Sequence, residues 1–156
     1  MTTRPIVHLP VASPLIRAEV RRRHPGARLE PYDGSPFDVR RRRGDVLVIP
    51  CSDTPPGAPR DGVAVGTCDR ASRTVLVLTT NLAGFLCLRP GDARLDVAIG
   101  RTVAHEMEHL RRGTRGHDRR GWFSRCVDLD DLRRRCPACR FPLELGPFCP
   151  GCGRRS

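Results

Sequence analysis

The chain has 156 residues, 38% of them apolar, and a formal charge of +11 from 28 basic and 17 acidic side chains. That size suits one compact domain plus a small module and excludes a large multidomain enzyme. No stretch approaches the roughly 18 consecutive apolar residues of a membrane helix, and residues 1–15 are broken by Pro5, His8, Pro10 and Pro14, so we expect a cytoplasmic chain with no export signal and no membrane partner.

Taken in order, Ser13 before Pro14 reads as an N-cap with proline at the first helical position, opening a helix that His24-Pro25-Gly26 stops after Arg23. Residues 31–43 carry Gly34, Pro36 and four consecutive arginines and read as a loop with a basic tip. Residues 46–49 form a short apolar strand, and the Pro- and Gly-rich stretch 52–62 bounds it. Residues 63–67 and 74–80 read as a hairpin. Asp92 then caps a long helix ending at Arg112, with Gly113 as the residue beyond it. Its expected core stripe is Ile99, Val103, Met107 and Leu110, beside a face of Ala98, Thr102, His105 and His109. Arg101, Glu108 and Arg112 are expected on the outside, Glu108 as a solvated charge.

On that helix, His105-Glu106-Met107-Glu108-His109 is an H-E-x-x-H motif. At i and i+4 two imidazoles leave one helix face and can share one Zn²⁺, while the intervening carboxylate can take a proton from water. A catalytic zinc site normally needs a third protein ligand. The metzincin pattern fails, because Arg112 and Arg115 stand where it requires Gly and His. His117 is the favoured third ligand, since Gly113 and Gly116 let the chain turn back; Asp118, Asp128, Asp130 and Asp131 are the alternatives.

These residues, with His117-Asp118 and then Trp122 and Phe123, resemble the small zincins of the SprT-like and WLM type. The resemblance covers about residues 63–126, with the aromatics slightly late, after Gly121. It implies a zinc-dependent peptidase of a small zincin fold, some members of the family acting on proteins bound to DNA.

Eight cysteines without an export signal point to metal or free thiols rather than disulfides. Cys51, Cys68, Cys87 and Cys126 are scattered and read as buried small hydrophobes. Cys136-Pro137-Ala138-Cys139 and Cys149-Pro150-Gly151-Cys152 form two C-x-x-C knuckles nine residues apart, which close a tetrahedral Cys₄ structural zinc site. So short a segment must draw its folding energy from the metal. SprT-like proteins often carry such a C-terminal ribbon.

All 28 basic residues are Arg, a bias that GC-rich coding also produces. From 111 to 156 there are 12 Arg against five acids, and Arg133, Arg134 and Arg135 precede the first knuckle, where they could contact nucleic-acid phosphates.

The sequence therefore predicts an α+β chain: a zincin-like domain over 1–131, with an antiparallel or mixed sheet of three or four strands, and a zinc ribbon over 132–156. Two Zn²⁺ ions are expected, one catalytic on His105, His109 and His117 with Glu106 as general base, and one structural on Cys136, Cys139, Cys149 and Cys152. The expected partners are a protein or peptide substrate, which the strand over 74–80 would bind by β-addition, and DNA without strong sequence preference. Two other classes compete: a nucleic-acid-binding or adaptor protein built on the ribbon, with a non-catalytic His pair, and a metal-dependent hydrolase acting on something other than peptides. Glu106 separates the first of these from an enzyme, because a structural site has no need of a carboxylate beside water.

Overall fold

The computed structural model describes residues 5–10, 13–52, 65–118, 129–140, 142–143 and 148–155. Five strands, β1 (Ile6–Pro10), β2 (Arg28–Tyr32), β3 (Val46–Cys51), β4 (Gly66–Asp69) and β5 (Thr74–Leu78), form one mixed sheet in the order β2-β1-β3-β5-β4. The first four strands in that order run parallel, and β4 closes the sheet antiparallel to β5. Three helices accompany it: α1 (Pro14–Arg23), α2 (Thr79–Leu86) and α3 (Ala93–Arg112). The architecture is α+β as expected, with five strands rather than three or four.

The caps predicted for two helices are present. Ser13 Oγ accepts from the Ile16 N–H, with Pro14 opening α1. Asp92 accepts from the Arg94 N–H at the start of α3, and Gly113, at φ 64°, closes it by donating to the His109 carbonyl. The hairpin is also present, as β4 and β5, with β4 shifted towards Asp69; residues 63 and 64 of the expected strand lie outside the described residues.

Three elements differ from expectation. The segment broken by Pro5, His8 and Pro10 contains β1, whose Val7, His8 and Leu9 are buried and which lies between β2 and β3 in the sheet. Pro31 and Tyr32, expected in a loop, belong to β2; Pro31 is tolerated there because an edge strand need not donate every N–H. Beyond Leu78 the chain turns into α2 instead of continuing as strand, burying Leu82 and Leu86 at i and i+4.

The core gathers Val7 and Leu9 of β1, Val46 and Val48 of β3, and Val75 and Val77 of β5 with Val20 of α1, Leu82 and Leu86 of α2, and Val103, Met107 and Leu110 of α3. Because α1, α2, β4 and β5 all pack against α3, every residue from Thr102 to Leu110 is buried. This overturns the expected outer face at Glu108. Ile99, expected in the core stripe, is only half-buried at its margin.

The crossing of α1 and α3 depends on Gly100. A Cβ there would lie 2.7 Å from Glu19 Cβ and 2.9 Å from the Ile16 carbonyl oxygen. Gly100→Ala is therefore expected to destabilise the fold. Overpacking costs about 1–3 kcal/mol, outweighing the roughly 0.8–1.0 kcal/mol that alanine gains in a helix interior. Thermal melting checks this, and a raised midpoint would show that α1 can step away without loss.

Candidate metal centres

His105 and His109 lie one turn apart in the buried part of α3, and the loop after Gly113 returns His117 to them. The three Nε2 atoms converge: His105 to His117 is 3.3 Å and His109 to His117 is 3.1 Å. Four-coordinate zinc with Zn–N of about 2.0–2.1 Å places its ligand nitrogens about 3.3–3.4 Å apart, so the triad fits an ion of that size. The His109 Nδ1–H donates to the Thr114 carbonyl at 2.9 Å, which leaves the Nε2 lone pair turned to the shared point. Of the alternative third ligands, Asp118, Asp130 and Asp131 are exposed and outside the cluster, and Asp128 lies outside the described residues, as do Trp122 and Phe123.

Glu106 follows His105 in the sequence of α3 and is 8% exposed. Burial pushes its carboxyl up to about 7, against the opposing hydrogen bond from the Cys68 thiol. The same contact, after burial itself, drives the Cys68 thiol up to about 12. Glycine at position 66 is what lets β4 lie this close, since a Cβ there would meet Thr102 Cγ2 at 2.5 Å and Glu106 Cγ at 3.3 Å. Cys68 was not singled out by spacing; a glycine within a strand pattern was the available sign of close backbone approach. Cys51, Cys68 and Cys87 are half-buried and not fully buried hydrophobes, and Cys126 lies outside the described residues.

Glu108, expected in solvent, is 3% exposed. It accepts from Arg111 Nη2 at 2.5 Å and from Arg112 Nε at 2.6 Å, while Arg112 also holds Asp118 through Nη1 at 2.8 Å. The chain of ions therefore straps the residue after His117 back to the end of α3. Hydrogen bonding from Arg111, then from Arg112, overcomes burial and holds Glu108 down at about 2. A carboxyl lowered on folding stabilises fully above its ordinary value near 4.3 and loses that contribution as pH falls through about 2. Glu108→Gln is thus expected to lower the melting midpoint at pH 7 by about 2–4 °C, with the gap to the wild type closing at acid pH. A gap independent of pH would contradict the pairing.

The four C-terminal cysteines also meet. Cys136 Sγ is 3.8 Å from Cys152 Sγ, and Cys139 Sγ is 3.5 Å from Cys149 Sγ; with Zn–S of about 2.3 Å a tetrahedral site has S···S of about 3.8 Å. Each knuckle closes alike: the Arg140 N–H donates to the Cys136 carbonyl and the Gly153 N–H to that of Cys149, with φ of 63° and 70° at the two donors. The N–H of Cys139, then that of Ala138, lowers the Cys136 thiol to about 6, and the Gly151 N–H points at Cys149 Sγ. The knuckles rest on α2. The Cys87 thiol donates to the Leu143 carbonyl at 3.2 Å and the Arg134 N–H to that of Leu86 at 3.0 Å, while Leu129 and Leu132 enter the main core.

Other expected contacts fall differently. Arg133 is half-buried with its guanidinium over the Phe85 ring, whereas Arg134 and Arg135 are exposed. Asp131 binds Arg101 through two hydrogen bonds of 2.5 and 3.0 Å. The strand expected to receive substrate, β5, is paired on both sides, and among the described residues β4 is the terminal strand, next to Glu106. Among the described residues no helix is long and apolar enough to cross a membrane. Compared with known families, curated proteins and solved structures, the chain matches no family model, no curated protein and no solved structure.

Proposed function

We propose that this chain is a zinc-dependent metallopeptidase of the small-zincin type, with a second, structural zinc in its C-terminal knuckles. The observation that carries the reading is three imidazoles whose Nε2 atoms converge at zinc spacing, with a buried carboxyl, Glu106, next to His105 on the same helix. A zinc ion held there supplies the Lewis acidity that activates water and polarises a carbonyl. In this reading Glu106 takes the proton of the attacking water as its oxygen bonds to the carbonyl carbon. It then returns that proton to the amide nitrogen as the C–N bond breaks. A carboxyl that burial raises to about 7 is suited to both halves of that transfer.

The substrate is an extended peptide. β4 ends the sheet among the described residues and passes beside Glu106 at Gly66, so a peptide pairing with its outer edge would run past the carboxyl. The reading is tested by incubating the purified chain with a quenched fluorescent peptide library. Cleavage should vanish on chelation and return on adding zinc. No cleavage by zinc-loaded protein, across the library and with an unfolded protein substrate, would contradict it.

A further inference from the structure

A recess lies where the parallel strands begin. It is a cleft of about 650 Å³ whose charged lining is Arg28, Arg42, Arg43 and Arg73 with one acid, Asp45. The arginines come from separate places in the chain: the start of β2, the loop before β3, and the turn before β5. Register brings them together, since Ile6 pairs with Arg28, Val7 with Val46, and Leu47 with Thr74. Glu106 is at the other end of β5, beside Gly66, which pairs with Val77. The cleft is therefore separate from the histidines.

Asp45 does not neutralise these guanidiniums. Its carboxylate accepts the Ile6 N–H at 3.0 Å and the Arg42 N–H at 2.7 Å and lies 3.5 Å from His8 Nε2. Arg28 pairs with Glu30 at 2.8 Å, in an exposed contact. Among the described residues Arg42, Arg43 and Arg73 have no carboxylate partner, as is true of most other arginines, whereas Arg22, Arg94 and Arg111 each pair with one carboxylate and Arg101 and Arg112 with two. The backbone around them is held in place. Arg73 Nε donates to the Gly44 carbonyl at 2.8 Å, and Arg41 Nη1 donates to that of Ser72 at 2.9 Å, tying the loop before β3 to the turn before β5. The remaining walls are small or rigid, Pro25, Gly26, Ala27 and Gly44 among them, and a Cβ on either glycine would meet nothing within 4 Å.

Like charges held together around open space repel one another, and a multivalent anion relieves that repulsion. Planar guanidiniums match the oxygens of phosphate in paired hydrogen bonds. We propose that this cleft is a binding site for a ligand carrying two or more phosphate charges. The shared chemistry is the phosphoryl oxygen, presented either by a free polyphosphate compound or by the backbone of a nucleic-acid strand.

Titration calorimetry on the full zinc-loaded chain, with inorganic pyrophosphate and with a mixed-sequence single-stranded 12-mer DNA as probes, tests the proposal. At least one probe should bind saturably, and the Arg42→Ala/Arg43→Ala variant should weaken it by about tenfold or more. The Arg21→Ala/Arg89→Ala variant, at exposed arginines outside the cleft, should leave that binding unchanged. Pyrophosphate binding lost in the first variant identifies a free polyphosphate, and loss confined to the 12-mer identifies a nucleic-acid backbone. Arg42 and Arg43 are exposed, so the variant should melt as the wild type does; Arg28→Ala gives an independent second variant. Both variants keep the metal sites, so binding that survives them, as pyrophosphate on zinc would, overturns the proposal. So does the absence of saturable binding by either probe.

Discussion

Glu106→Gln is expected to retain zinc at the histidines and to lower peptide hydrolysis by about 10²–10⁴, the range that a positioned general acid–base group contributes. The substitution preserves the size of a side chain that is 8% exposed and packed under Gly66 of β4. It removes only the proton acceptor. Metal binding should be spared because the imidazole nitrogens, not this carboxyl, form the convergent cluster. Hydrolysis rates together with zinc content make the comparison, and turnover close to wild type would end the assignment of proton transfer to Glu106.

Replacing Cys136 and Cys149 together with Ser is expected to remove one zinc per chain and unfold the knuckles, leaving the sheet and α3 in place. Among the described residues the apolar cluster of that module is Cys136, Leu143 and Cys149, with Cys87 packed against it. A segment this short cannot bury enough apolar surface to offset its ordering entropy without metal. Structural zinc supplies about 10–16 kcal/mol in comparable motifs. Leu129 and Leu132 belong to the main core, so the unfolding should begin after them. Metal analysis and limited proteolysis check both parts. Full zinc content, or protease resistance beyond residue 132 in the variant, would contradict the assignment.

How much was legible follows from how local each signal is. The ends of α3 could be read because Asp92 and Gly113 act on the backbone within a turn of themselves. The return of His117 was readable from Gly113 and Gly116, which free the intervening loop. In contrast, β1 owes its existence to β2 and β3 on either side, partners that are distant in sequence, and nothing in Ile6–Pro10 outweighs His8, Pro10 and the preceding Pro5. Glu108 looks like a surface charge in a helical pattern. It is buried because α3 is packed on several sides and because Arg111 and Arg112, in the next turn, reach back to it. The contact of Cys68 with Glu106 joins an edge strand to a helix, and the glycine that permits it was visible only as a glycine.

The most direct measurement is zinc K-edge X-ray absorption on the zinc-loaded chain. Two disjoint sites, one of four sulfurs and one of three imidazoles completed by water, predict two zincs per chain. The averaged first shell should hold equal numbers of sulfur ligands at about 2.3 Å and nitrogen or oxygen ligands at about 2.0–2.1 Å. His117→Ala should thin the nitrogen shell and leave the sulfur shell intact. One zinc per chain with a sulfur-only shell would mean that the histidines of α3 hold no metal.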